Sequence, residues 1–199
     1  MTATLNASTS AGVIVTSDTS GSLAIQSNGT TLLTATSTGL VAGSSIITSG
    51  TAQASTSGTS IDFTSIPSWV KRVTVILNGV STSGTSNILV QIGAGSVTTS
   101  GYLGFVFISS VYRSAFTSGF ITTGLLASDS LLSSQISIAT LGSNIWVETA
   151  NITDYSSSVL GASLSSGKLA LGGTLDRVRI TTVNGTDAFD AGSINILYE

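Results

Sequence analysis

The first sixty residues carry a single charged side chain, Asp18, and are otherwise built almost wholly from Ser, Thr, Gly, Ala and aliphatic residues. Four short β-type runs thread this segment: Val13–Thr16, Leu23–Gln26, Thr31–Ala35 and Ser45–Thr48. Turn signals at Ser20-Gly21, Asn28-Gly29 and Thr38-Gly39 separate them, at the spacing of consecutive short strands. A ribbon of this kind has too little apolar surface to bury against itself. Its alternating residues, with Val13, Val15, Leu23, Ile25 and Leu33 as the assembly set, therefore predict packing against other chains. Residues 1–50 read as an extended β-ribbon arm, 51–60 as a small-residue linker, and 61–199 as a second domain.

Composition supports assembly. Of 199 residues, 41% are hydrophobic and 8% are charged, where an ordinary domain has about 25% charged. Ser and Thr must supply nearly all the polar surface, which suits a chain that covers itself with copies of itself. Lys71, Arg72, Arg113, Lys168, Arg177 and Arg179 are the only cations, too few and too scattered for a nucleic-acid footprint. No run approaches the roughly 18 apolar residues of a membrane-spanning helix, and glycine interrupts the runs too often for a transmembrane barrel. The start, Met1-Thr2-Ala3-Thr4, has no basic, apolar leader pattern, and the last strand is expected to run almost to the C-terminus.

From residue 61 the strands lengthen and alternate. Val70–Asn78 places Val73, Val75 and Leu77 on one face and is expected to end in a turn at Asn78-Gly79. Further strands are expected over Asn87–Ile92, Tyr102–Ser109, Gln135–Thr140, Ile145–Thr149, Lys168–Leu171, Leu175–Val183 and Ser193–Tyr198, with one short helix over Leu125–Gln135. The fold class that follows is all-β: an N-terminal β-ribbon arm, then an antiparallel β-sandwich or jelly-roll-like domain.

Candidate chemistry is sparse. The chain has no His and no Cys, so neither a Ser-His-Asp triad nor an imidazole or thiolate zinc site can form. Two Ser-x-x-Lys spacings, Ser68 to Lys71 and Ser165 to Lys168, fall outside the helix that such a pair requires. Glu148, Asp154 and Asp129 are the carboxylates to weigh for glycan hydrolysis. Asn184 to Asp190 has alternating oxygen ligands but reads as an Asx-turn loop rather than a calcium loop. Gly93-Ala94-Gly95 lacks the third glycine and the helix of a dinucleotide site. The chain is therefore read as no enzyme, with no catalytic residue, cofactor or metal assigned. Among the aromatic residues (Trp69, Trp146, Tyr102, Tyr112 and Tyr155), Tyr112, Trp146 and Tyr155 are the candidates for stacking on a sugar ring. Trp146 alternates with Ile145 and Val147 and so faces away from them.

Two stretches carry a family likeness. The arm from Gly12 to Thr30 resembles the N-terminal segments of small virion proteins of tailed bacteriophages. The second part is similar to the C-terminal β domains of such proteins through Ile61-Asp62-Phe63 with Ile66-Pro67, Lys71 to Val75, and Asp176 to Ile180 continuing through Phe189 to Ile196. Tyr102–Leu164 falls outside the likeness. The resemblance implies a homotrimer on the exterior of the virion, mounted by its arm on the major capsid protein or other virion proteins, with the β domain outward. A capsid decoration or cement protein is the first expectation. A tail-fibre protein that recognises host surface glycan through Tyr102–Leu164 is the second.

Overall fold

The computed structural model describes residues 23–36, 39–42, 47–108, 112–123, 126–156 and 160–199, and they form two compact units, divided between Ile46 and Ile47. The fold is all-β, with no helix among the described residues.

In the first unit β1 (Leu23–Ser27), β2 (Thr30–Thr36) and β3 (Gly39–Ala42) form an antiparallel meander. Asn28 and Gly29 join β1 to β2 with φ of 49° and 76°. This left-handed pair is the tight turn whose twist matches a hairpin. Val13, Val15 and the run Val13–Thr16 lie outside the described residues.

The second unit begins with β4 (Thr48–Ser49), β5 (Gln53–Ala54), β6 (Ser60–Thr64) and β7 (Arg72–Thr82). Next come β8 (Ile88–Ala94), β9 (Ser96–Val97), β10 (Leu103–Ile108), β11 (Tyr112–Phe116) and β12 (Phe120–Ile121). The long strands β13 (Leu132–Gly142), β14 (Ile145–Tyr155) and β15 (Leu160–Ala170) follow, then β16 (Arg177–Thr182) and β17 (Phe189–Tyr198). Nine strands make a large sheet in the order β11-β10-β15-β14-β13-β7-β17-β4, with β5 also on β17. Five make a small one, β12-β8-β16-β6, with β9 on β8. The chain crosses between sheets repeatedly: β5 to β6, β6 to β7, β7 to β8, β9 to β10, β11 to β12, β12 to β13, β15 to β16 and β16 to β17. Such crossings produce a sandwich rather than two separate meanders.

Alternation builds the single core. Val73, Val75 and Leu77 of β7 sit opposite Ile138, Ile136 and Ser134 of β13 and opposite Tyr198, Ile196 and Ile194 of β17. From the small sheet, Ile61, Phe63, Ile88, Val90, Ile92, Val178 and Ile180 join the same buried cluster. Tyr102 is wholly buried and meets Phe120 edge-on, ring centres 4.8 Å apart. Its hydroxyl accepts from the Ile92 N–H at 2.8 Å and donates to the Thr98 carbonyl at 3.0 Å, so the buried polar tip is satisfied. Burial pushes its pKa well above the ordinary phenol value.

Three expectations are corrected. Leu126–Leu131 is a turn closed by the Ser130 N–H on the Ala127 carbonyl, and β13 starts at Leu132, so no helix spans the described part of Leu125–Gln135. The period-two row Leu132, Ile136, Ile138 outweighs a helical reading, and the serines among them are poor helix formers. Asn78-Gly79 does not end its strand: β7 continues to Thr82 through a bulge at Gly79, φ 61°. Residues 51–60 are no linker, because β5 pairs with β17 and the buried Ser55 Oγ donates to the Ala191 carbonyl at 2.7 Å.

Candidate functional site

The arm's meander has one face of apolar residue types. Its register pairs Leu23 with Ala35 and Ala35 with Leu40, then Ile25 with Leu33 and Leu33 with Ala42. Cross-strand partners share a face. Leu23, Ile25 and Leu33 of the expected assembly set fall in these rows, joined by Ala35, Leu40 and Ala42, whose positions follow from the pairing of β3 with β2. Leu23 and Ile25 are 43% and 52% exposed. A sheet with an apolar face gains stability by burying that face against another element.

The outer face of the large sheet carries a second apolar area. Leu103 and Phe105 of β10 and Leu164 of β15 are each about half exposed. Register brings them together, since Phe105 lies opposite Ser166 and Phe107 opposite Leu164. Leu103, Phe105 and Phe107 share a face, as their spacing predicts, but it is the solvent face. The core side of β10 is given to Gly104 and Val106. A Cβ at Gly104 or at Gly167 would run into the ring of Phe116, so these glycines make room for an aromatic layer over β10 and β15.

The glycan candidates separate. Trp146 is 4% exposed on the inner face of β14 and belongs to the core, with its indole N–H unpartnered. Tyr155, at the far end of β14, is 58% exposed. Tyr112 lies on the edge strand β11.

The carboxylates are equally informative. Glu148 and Asp154 lie six residues apart on the inner face of β14, a separation of roughly 20 Å by strand rise. That is well beyond the 5–10 Å of paired glycosidase carboxylates. Glu148 is fully buried, its Oε1 accepting from Ser165 Oγ at 2.6 Å and its Oε2 unpartnered; burial pushes its pKa up to about 7. Burial also raises the pKa of Asp154, whose Oδ2 accepts from Ser130 Oγ at 2.7 Å. Ser165 and Lys168, three apart on β15, point to opposite faces, the first buried and the second exposed.

Asn184 to Asp187 is an Asx turn. Asn184 Oδ1 accepts from the Thr186 and Asp187 N–H groups at 3.0 and 3.1 Å. The Asp187 carboxylate is taken by Asn184 Nδ2 at 2.7 Å and the Ser86 N–H at 3.0 Å, bonds that hold its pKa below the usual carboxylate range. The turn joins β16 to β17 across the two sheets rather than closing a hairpin. No group of three metal-ligating side chains occurs among the described residues, and no helix long and apolar enough to cross a membrane occurs among them. Comparison with protein-family models, curated proteins and solved structures returns no match.

Proposed function

We propose that the chain is a non-enzymatic structural protein of a tailed-bacteriophage virion, a homotrimer that decorates or cements the capsid exterior through its N-terminal arm. One observation carries this reading: the β1–β2–β3 meander lines up residues of apolar type, Leu23 with Ala35 and Ile25 with Leu33, and Leu23 and Ile25 are 43% and 52% exposed. Between Asp18 and Asp62 there is no charge to repel an identical face. Burying such a surface against neighbouring copies or capsid contributes about 25 cal/mol per Å². The exposed Leu103, Phe105 and Leu164 give the outer sheet a further apolar contact area of the kind that marks interfaces.

The test is to locate the protein on purified virions by electron microscopy, using a gold-tagged antibody against residues 61–199. Label spread over the head is the expected result. Label confined to the tail would overturn decoration and favour the second reading, a receptor-binding protein for host surface glycan, to which the exposed Tyr155 ring lends support.

A further inference from the structure

The two sheets part along one side of the second unit. There β6, whose one strand partner is β16, faces β4, β5 and β17 across a groove of about 540 Å³. This volume lies within the usual range of small-ligand sites. Its apolar lining is Phe63, Ile66 and Ile196, all side chains of the core. Its polar lining is hydroxyl and amide: Ser49, Thr51, Thr64 and Gln53.

Three features make the groove more than a seam. First, Gln53 Nε2 donates to the Asp62 carbonyl at 2.8 Å, an amide strap from the large sheet to the small one. Second, the Asp62 carboxylate is held by Arg179 through Nε at 2.7 Å and Nη2 at 2.8 Å. This planar fork fixes the carboxylate's orientation and cancels its charge. Third, Tyr198 lines the groove and Trp69 packs on it, ring centres 5.9 Å apart at 49°. Trp69 is 52% exposed.

The chemistry selects a ligand class. Asp62, already paired, is the only charged residue among the lining, so a phosphate or carboxylate would find no unneutralised cation. A peptide strand adding to the free edge of β6 needs that edge's backbone acceptors, and Gln53 occupies one of them. What remains is a ligand with an apolar face for the aromatic pair and a rim of neutral hydroxyls for amide, hydroxyl and carboxylate partners. A pyranose ring has that construction.

We propose that this groove binds a neutral oligosaccharide, with a sugar ring against Tyr198 and hydroxyls on Gln53, Asp62 and Thr64. The inference rests on the glycan-recognition reading and deepens it by naming the groove and its ligand class. It does not require a particular position on the particle.

The test uses the purified full chain on an array carrying neutral hexose, deoxyhexose and N-acetylhexosamine oligosaccharides, their sialylated and sulfated counterparts, and extended octapeptides. Each captured probe is then titrated in solution. Capture of neutral glycans is expected, with affinity at least tenfold weaker in Gln53→Ala and in Asp62→Asn. Trp69 emission should shift on binding and lose the shift in Gln53→Ala. Circular dichroism of each variant separates lost binding from lost fold. Where Asp62→Asn disturbs folding, Thr64→Ala replaces it. Capture of anionic glycans or peptides alone, no capture, or neutral-glycan affinity indifferent to Gln53→Ala would overturn the proposal. Any of these would leave the capsid-attachment reading standing, because none of these residues belongs to the arm.

Discussion

Ser165 Oγ lies 2.6 Å from Oε1 of Glu148, and this is the one hydrogen bond offered to a carboxyl group that has no solvent exposure. The two residues come from neighbouring strands, β15 and β14, where Ser165 pairs with Ala150, two residues along from Glu148 on the same face. With Oε2 unpartnered, burial favours the neutral acid and raises its pKa to about 7 from 4.5. The folded chain keeps this proton at pH values where the unfolded chain has released it. The resulting stabilisation is complete below pH 4.5 and is lost as pH rises toward 7. The slope is about 1.4 kcal/mol per pH unit, or roughly 3 kcal/mol in all. Asp154, also raised by burial, adds in the same direction. Urea unfolding between pH 4 and 8 should show stability falling with pH, and Glu148→Gln should flatten most of the slope. An unchanged slope in that variant would refute the assignment.

Trp146 and Tyr155 lie at opposite ends of β14 and are predicted to behave oppositely. Trp146→Ala empties a core position and should cost about 3–5 kcal/mol, seen as a lower denaturation midpoint. Tyr155→Ala removes an exposed ring and should stay within about 0.5 kcal/mol.

Gly192 has φ of 91°, and a Cβ there would collide with the backbone carbonyl oxygens of Gly79 and Asn78 on the facing bulge. The two bulged glycines let β7 and β17 keep their register on either side of the irregularity. Gly192→Ala should therefore destabilise by more than about 2 kcal/mol in thermal unfolding. Gly172→Ala, where a Cβ would meet nothing within 4 Å, should be close to neutral.

The meander face makes a prediction about mass. In sedimentation equilibrium the full chain should behave as a trimer. Ile25→Asp, which puts a charge in the Ile25–Leu33–Ala42 row, should shift it toward monomer. The far-UV signal of the second unit should be retained. A wild-type monomer at micromolar concentration would contradict the assembly reading.

How much of this was legible in the residues follows from how local each signal is. Two-residue alternation is local, so Val73, Val75, Leu77 and the row from Ile136 to Ile138 declared themselves as strand faces, and Asn28-Gly29 declared its turn. Which face is inner is not local. Leu103, Phe105 and Phe107 alternate as convincingly as any core row, yet they face solvent because Phe116 packs over Gly104 and Gly167 on the other side. Asn78-Gly79 has the chemistry of a turn, but pairing with β13 and β17 holds the chain extended through it, leaving a bulge. The burial of Glu148, the position of Trp146 within the core and the groove between Gln53 and Asp62 were all decided by contacts between strands far apart in the chain. Composition and alternation determined that this protein would be all-β. Sheet pairing alone decided which side of each strand became core and where two sheets left a space between them.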